Sequence, residues 1–352
     1  MMRSFRTTVA IVALLTVPPH FISSVDAPRH ARRPVALGRA IVVARSFLHE
    51  YVDRSGRVVR RDQGGDTVSE GQAYAMLLAV AVHDASRFAQ VWSWTATNLQ
   101  RPDGLLSWHW NGGRVIDSMP ATDADLDTAH ALALASTAFG QTSYAADAAR
   151  IGGAVLAEET LALAGRLVLV AGPWARQSAA DGSPVAVVNP SYFSPRAYTE
   201  LDRLMGDPRW GQLRASAVEQ IGALTTTALP PDWATVDSNG VVQPAPAPGA
   251  SRIGYGADAA RVPPRFAEAC DPASRVVAAS LWPRLRHAAH RSTIGFVAAA
   301  AGAAAARVSS ARDALLDSAE RSEARHSTYY GSAWVGLGRV LLTTHLLGGC
   351  PA

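Results

Sequence analysis

The sequence has 352 residues, of which 48% are hydrophobic and 18% charged, a composition typical of a globular protein with a sizeable core. The formal net charge is +4, but several arginines lie around an early leader and turn: Arg29, Arg32, Arg33, Arg57, Arg60 and Arg61. Nucleic-acid binding requires basic residues clustered on one face, and the later chain shows no such cluster. We therefore expect no nucleic-acid partner.

Residues 1–27 have the pattern of a secretory leader. Arg3 and Arg6 precede an apolar run, Thr8 to Val17, and the segment ends in small residues at Val25-Asp26-Ala27. The run is about ten residues long, whereas a bilayer-spanning helix needs roughly 20. We expect export to the periplasm or the medium, with an uncleaved anchor as the alternative. Residues 28–352 are then a single domain with no stable membrane span.

Neither the cysteines nor the histidines form a motif for metal binding. The ten histidines lack the H-E-x-x-H spacing of zinc enzymes, and no G-x-S-x-G segment marks a serine nucleophile. We therefore expect no metal and no cofactor. An oxidising compartment permits a bond between Cys270 and Cys350, but its formation depends on geometry that the sequence does not contain.

Apolar residues recur at helical spacing through most of the chain after the leader. The predicted helices are 34–51, 69–82, 86–99, 123–139, 143–163, 194–205, 209–226, 258–269, 274–285, 292–307, 311–321 and 329–347. Strand-like segments are scarce, and 166–170 is the best candidate. Since no long linker separates the helices, we predict one all-α domain in which helical hairpins repeat around a centre.

Three carboxylates, Glu70, Asp123 and Asp258, stand where predicted helices begin. Ser69-Glu70-Gly71-Gln72 has the form of a capping box, and Thr122 to Asp125 has a similar form. Acidic residues complement the helix dipole, so capping alone accounts for any one of them. If these helices begin at the same end of a barrel, however, the three acids converge on one cleft.

The helix that begins near Asp123 carries two more acids, Asp125 and Asp127, ahead of a small apolar face. We expect some of these acids to point into a low-dielectric interior, where crowded like charges raise one another's pKa. A raised carboxyl pKa is what a general acid near neutral pH requires. This pattern favours acid–base chemistry over simple capping.

Aromatic residues fall mostly in loops or at helix ends near these acids. Core packing is the default role of an aromatic side chain. Beside carboxylates in loops, however, aromatic rings suit a sugar site, because pyranose rings present flat C–H faces. The candidates are Trp108, Trp110, Trp174, Tyr192, Phe193, Tyr198, Trp233, Tyr255, Tyr329 and Tyr330.

The segments 69–76 and 121–129 resemble the two hallmark segments of glycoside hydrolase family 8. The segments 189–195, 231–233 and 255–261 resemble three further family segments in the expected order. The resemblance extends from about Arg39 to Leu347. It implies an (α/α)6 barrel with a long open cleft and an inverting mechanism.

The resemblance also implies roles for individual residues. Glu70 would be the general acid, Asp258 the general base, and Asp123 would hold the sugar and help to position the water. Arg261 would pair with Asp258 and keep it ionised. Pro263-Pro264 departs from the pattern, because Pro264 should limit or kink the helix that Asp258 begins. The expected substrate contacts are Trp108, Trp174, Trp233, Tyr330 and a water-supporting tyrosine, either Tyr192 or Tyr198.

Within the family, a compact exported chain without a carbohydrate-binding module most resembles the cellulase that accompanies bacterial cellulose synthase. The resemblance implies a periplasmic endo-β-1,4-glucanase acting on nascent chains, with the synthase machinery as a candidate partner. The sequence does not distinguish a β-1,4-glucan from xylan or chitosan. A non-catalytic glycan-binding barrel, with the acids serving only as caps, is the alternative from a different class.

Overall fold

The computed structural model describes residues 27–288 and 294–350. Residues 1–26, which carry nearly all of the predicted leader, lie outside the described residues. Residues from Ala36 onward form one compact unit, and of the part of the chain before Ala36 only the start of the first helix is described. Within the described ranges, no helix has both the length and the apolar character needed to cross a membrane.

Twelve α-helices account for most of the described residues, as the periodicity predicts. Their bounds are α1 Ala27–Tyr51, α2 Ser69–Ala81, α3 Ala85–Asn98, α4 Thr122–Ala138, α5 Thr142–Glu158, α6 Pro195–Met205, α7 Arg209–Leu224, α8 Val262–Ala267, α9 Pro272–Ala288, α10 Ile294–Ala305, α11 Ser309–Glu323 and α12 Tyr329–Thr343.

The even-numbered helices form a closed inner ring. Each packs against the next in the order α2, α4, α6, α8, α10 and α12, and α12 packs back against α2. The odd-numbered helices from α3 on pack outside this ring against their neighbours in sequence. The arrangement is an (α/α)6 barrel, which confirms the predicted fold class and the hairpins around a centre.

Burial distinguishes inner from outer helices in the way their sequences require. In α2 every residue except Glu70 is buried, because an inner helix meets protein on all sides. In the outer helix α3 the buried residues are Phe88, Val91, Trp92 and Thr95, a spacing that follows one helical face. Since consecutive hairpins reverse direction twice, the inner helices all begin at the same end of the barrel.

Short antiparallel strands fill several connections between helices. The strands are β1 Thr67–Val68, β2 His109–Asn111, β3 Arg114–Asp117, β4 Thr160–Leu163, β5 Arg166–Leu169, β6 Arg176–Ser178, β7 Pro184–Val188, β8 Trp233–Val236 and β9 Val242–Ala245. They form sheets β1-β2-β3, β4-β5 and β6-β7-β8-β9. The strand predicted at 166–170 is confirmed as β5.

The predicted helix 143–163 is wrong at its end. It stops at Glu158, and Thr160–Leu163 pairs with Arg166–Leu169 as a hairpin. Ala164 and Gly165 both have positive φ, which suits the tight two-residue turn of such a hairpin. The apolar residues of this segment therefore pack as a strand, a distinction that periodicity alone does not make.

The predicted effect of Pro264 is also wrong. Residues Ala259–Arg261 form a 3-10 turn, and α8 begins only at Val262, so Pro263 and Pro264 lie in its first turn. Backbone N–H groups there have no partner within the helix, and proline is tolerated. A Cβ on Gly302 would lie 2.3 Å from the Pro264 nitrogen, so glycine lets α10 approach this turn closely.

A disulfide joins Cys270 to Cys350, with their Cα atoms 4.9 Å apart. The backbone N–H of Cys350 also donates to the carbonyl of Glu268 at 2.8 Å. The C-terminal segment is thereby attached to the residues that follow α8. The bond that the sequence leaves open is present in the structure.

Candidate active site

The side chain of Arg261 joins all three predicted carboxylates. Its Nη1 atom lies 2.9 Å from Glu70 Oε2 and 2.9 Å from Asp123 Oδ2, and its Nη2 atom lies 2.9 Å from Asp258 Oδ1. Nη1 also donates to the Tyr74 hydroxyl at 3.0 Å. The Arg261 side chain is only 2% exposed, whereas Asp258 and Glu70 are 35% and 23% exposed. The cluster thus presents its acid and base candidates to solvent from a buried cationic centre.

Helix starts place two of the acids, although not through the predicted capping boxes. The N-cap positions are Val68 and Ala121, neither with a side-chain cap, so Glu70 and Asp123 are each the second helical residue. The side chain expected to complete the first box, Gln72, instead accepts from Val58 N and donates to Thr95 Oγ1. Both boxes are therefore wrong, because the polar side chains bind partners distant in sequence.

Only one of the three acids of α4 reaches the cluster. Asp125 is fully buried and accepts from the Leu106 N–H at 2.7 Å, and Asp127 pairs with Arg265. Burial raises the pKa of Asp125 well above its usual range. The predicted burial of these acids is confirmed, but Asp125 and Asp127 bind other partners and do not pair with Arg261.

The segment that carries Asp258 is held by residues that the sequence analysis did not single out. Asn189 Nδ2 donates to Asp258 Oδ2 at 2.9 Å, and Ser191 Oγ accepts from Arg261 Nη2 at 2.7 Å. Asp232 Oδ1 accepts from the backbone N–H groups of Gly256 and Ala259 at 2.9 and 2.8 Å. Asn189, Ser191 and Asp232 all lie in segments that resemble the family. This resemblance is the sequence feature that could have identified them as site residues.

Burial is the main electrostatic influence on the acids. It raises the pKa of Glu70, the Asp258 charge raises it further, and Arg261 opposes both. Burial likewise raises the pKa of Asp123 to about 7, with Arg261 opposing and Glu70 and Asp258 adding to the rise. A protonated Glu70 is therefore favoured by its surroundings, which offset the helix dipole that favours the ionised form. Burial and the charge of Asp258, more than the charge of Asp123, raise the pKa of Glu70.

Two tyrosines at the start of α12 line the other side of the acid. The Tyr329 hydroxyl lies 3.5 Å from Glu70 Oε1, and the Tyr330 hydroxyl donates to the Ala257 carbonyl at 2.6 Å. A Cβ on Gly71 would lie 2.5 Å from the Tyr329 hydroxyl, so glycine at this position leaves room for the ring. Tyr330 thus fixes the chain beside Asp258, in addition to the stacking role that we predict for it.

Three of the predicted substrate contacts form a row that leads to the cluster. The rings of Trp174 and Trp233 lie 6.1 Å apart, Trp233 and Tyr192 lie 6.3 Å apart, and the Arg261 guanidinium lies 5.5 Å from the Tyr192 ring. Trp108 lies on the acid's side, where its carbonyl accepts from the Ser69 N–H. All four aromatics are partly buried and stand at the edge of the core.

The structure separates the two tyrosines left open by the sequence. Tyr198 is fully buried, and its ring stacks on Trp210 at 6.1 Å, within the interface between α6 and α7. It therefore packs in the core and is wrong as a substrate contact, because its helix directs it away from the cluster. Tyr192 remains the tyrosine beside Arg261.

This arrangement can support proton transfer at two separate points. Glu70 and Asp258 contact different nitrogens of one guanidinium, so the group stands between them. No group of three or more His, Cys, Asp or Glu residues in the described ranges could hold a metal ion. The chemistry available to these side chains is acid–base chemistry beside a row of aromatic rings.

Comparison with known proteins identifies relatives of similar sequence. A probable endoglucanase of Novacetimonas hansenii is 35% identical over 197 residues, which cover 54% of this chain and 56% of the relative. An endoglucanase of Cellulomonas uda is 29% identical over 208 residues, again 56% of the relative. The match thus spans little more than half the length of these relatives.

Solved structures match over more of their length. The endo-beta-1,4-glucanase CMCax from Acetobacter xylinum is 28% identical, with a TM-score of 0.69, over 86% of this chain and 96% of that one. An endoglucanase from Komagataeibacter sucrofermentans is 25% identical, with a TM-score of 0.69, over 87% and 97%. Residues 43–274 match the model of glycosyl hydrolases family 8, well over half of the chain. This chain belongs to glycosyl hydrolases family 8.

Proposed function

We propose that this protein is an inverting endo-β-1,4-glucanase. The observation that carries the proposal is the bridging of Glu70 and Asp258 by one buried guanidinium, at the end of a row of aromatic side chains. The relatives named endoglucanase support β-1,4-glucan as the substrate class. An inverting enzyme needs a protonated acid and an ionised base on opposite faces of one sugar ring.

In the proposed reaction Glu70 donates its proton to the glycosidic oxygen as the bond to the anomeric carbon breaks. Asp258 removes a proton from a water molecule, whose oxygen bonds to the anomeric carbon from the opposite face. Asn189 and Arg261 orient the two oxygens of Asp258, and Asp123 holds the sugar at the point of scission. Tyr192 supports the attacking water, and Trp108, Trp174, Trp233 and Tyr330 stack on neighbouring sugar rings.

Xylan and chitosan are the competing substrates, since the same mechanism serves any β-1,4-linked chain. A β-1,3-1,4-glucanase from Paenibacillus sp. X4 shares the fold at a TM-score of 0.75 but is only 17% identical, so the likeness does not indicate the substrate of this chain. We favour a cellulose-type glucan because the more similar relatives are named endoglucanases. A purely glycan-binding barrel accounts poorly for an acid whose surroundings favour its protonated form.

We further propose that the protein is exported and acts in the periplasm on nascent glucan chains, beside the synthase machinery. The leader pattern of residues 1–27 and the Cys270–Cys350 bond, which suits an oxidising compartment, support export. Fractionation of the native host should place the protein outside the cytoplasm. Recovery of the full-length chain only from cytosol would contradict export without bearing on catalysis.

Replacing Glu70 with Gln should abolish hydrolysis and preserve binding. The amide keeps the shape and part of the hydrogen bonding but cannot donate the proton, so we expect kcat on carboxymethyl-cellulose to fall by roughly 10²-fold or more. Cello-oligosaccharide affinity, measured by calorimetry, should change by less than about threefold, because the aromatic row is intact.

Glu219→Gln is the matched control, since Glu219 lies on the surface with its side chain 54% exposed. It should leave kcat unchanged. Wild-type protein that releases no reducing ends from β-glucan, xylan or chitosan would overturn the enzyme proposal. Hydrolysis confined to xylan or chitosan would retain the mechanism and change the substrate.

Replacing Arg60 with Gln should shift the pH profile in the alkaline direction. The Arg60 charge lowers the pKa of Glu70, so its removal favours the protonated acid. Because activity requires protonated Glu70, the alkaline limb of kcat/KM should move to higher pH. Arg61→Gln removes the same charge at the adjacent exposed position and should leave the limb in place. A shift to lower pH in R60Q would contradict Glu70 as the acid.

A further inference from the structure

A second buried ion pair lies one helical turn beyond the first. Arg265 Nη2 donates to Asp127 Oδ2, and the two side chains are 4% and 3% exposed. The Arg261–Asp123 pair and the Arg265–Asp127 pair each join residues 138 positions apart. The two pairs are therefore successive rungs between α4 and residues 261–265, and together they fix the register of one against the other.

Aromatic contacts join the second pair to the first by another route. The Arg265 guanidinium lies 5.5 Å from the Trp334 ring, and Trp334 meets Tyr74 edge-on at 5.7 Å. The Tyr74 hydroxyl in turn accepts from Arg261 Nη1 at 3.0 Å. A displacement of Arg265 would therefore reach Arg261 through packed side chains as well as through the backbone.

The segment that carries Asp258 needs such support. It continues into a 3-10 turn and a helix of six residues, Val262–Ala267, too short to be stable by itself. The placement of Asp258 consequently depends on contacts with the rest of the barrel.

Stability alone does not explain a charged pair at this depth. Replacing a buried ion pair with apolar residues is often neutral or stabilising, and one use of a buried pair is to specify geometry. We propose that Asp127 and Arg265 are positioning residues for the reaction, which hold Arg261 and through it Asp258 in register with Glu70. This inference rests on the proposed glucanase activity.

Asp127→Asn tests the proposal with little change in shape. Burial raises the pKa of Glu268 to about 7, and the nearby Asp127 charge adds to the rise. Removing that charge makes Glu268 easier to ionise as a counter-charge to Arg265, so we expect the variant to fold. A misplaced base lowers the rate of the chemical step, so kcat on cellopentaose should fall by roughly 10-fold to 10²-fold. KM should stay within about twofold, because the aromatic row is unchanged.

Two further variants separate positioning from stability. Asp127→Leu combined with Arg265→Met should recover the wild-type Tm but keep the low kcat, because apolar packing does not restore the register. Glu320→Gln removes a carboxylate partner of Arg339, another buried arginine in the α11–α12 interface, and should lower Tm without lowering kcat. A crystal structure of D127N without substrate should show Asp258 and Arg261 displaced together relative to Glu70 and Asp123, with the contacts of Arg261 to these two acids lengthened.

Wild-type kcat in D127N, or in the apolar double variant, would overturn the positioning role while leaving the glucanase proposal intact. An unmoved Asp258 in the D127N crystal structure would overturn it as well. An inactive wild-type protein would refute the proposed function instead. In that event the crystal structure alone decides whether the second pair sets the register.

Discussion

The guanidinium of Arg261 is buried among three carboxylates, and the rest of the site is arranged around that imbalance. One positive charge cannot neutralise Glu70, Asp123 and Asp258 together, and burial penalises the ionised forms of Glu70 and Asp123. The cluster therefore favours a protonated member, and the raised pKa values of Glu70 and Asp123 follow from this constraint. An (α/α)6 barrel provides the setting, because inner helices that begin at one end bring acids from distant parts of the chain to one buried cation.

The same constraint suits the proposed turnover. A proton leaves Glu70 as another arrives at Asp258, so the total charge around Arg261 is unchanged between reactants and products. The guanidinium contacts both groups, and it can stabilise whichever of them is ionised. Fixed donors of this kind stabilise developing charge without reorganising during the reaction. Asn189 adds a second fixed donor to Asp258. Asp232 and Tyr330 form hydrogen bonds with the backbone just before Asp258.

Much of this arrangement could be predicted from the sequence. Helical periodicity predicts the twelve helices, and motifs local in sequence predict Glu70 and Asp123 at helix starts, whereas Asp258 precedes a 3-10 turn and α8 begins only at Val262. Contacts between distant segments escaped prediction. Gln72 fits half of a capping box in the sequence, but its side chain binds a distant threonine and distant backbone groups. Tyr198 fits a site residue, but its helix directs it into the core. Short strands such as Thr160–Leu163 depend on a partner strand, which periodicity does not reveal.

The central claim is that acid and base act on opposite faces of one sugar, with Arg261 between them. Its most direct test is proton NMR of the anomers released in the first minutes of cello-oligosaccharide hydrolysis, before mutarotation. Separate acid and base roles for Glu70 and Asp258 predict that the α-anomer accumulates first, because a single displacement by water inverts the anomeric carbon. Initial accumulation of the β-anomer would mean retention through a covalent intermediate, and would remove Asp258 from the role of base.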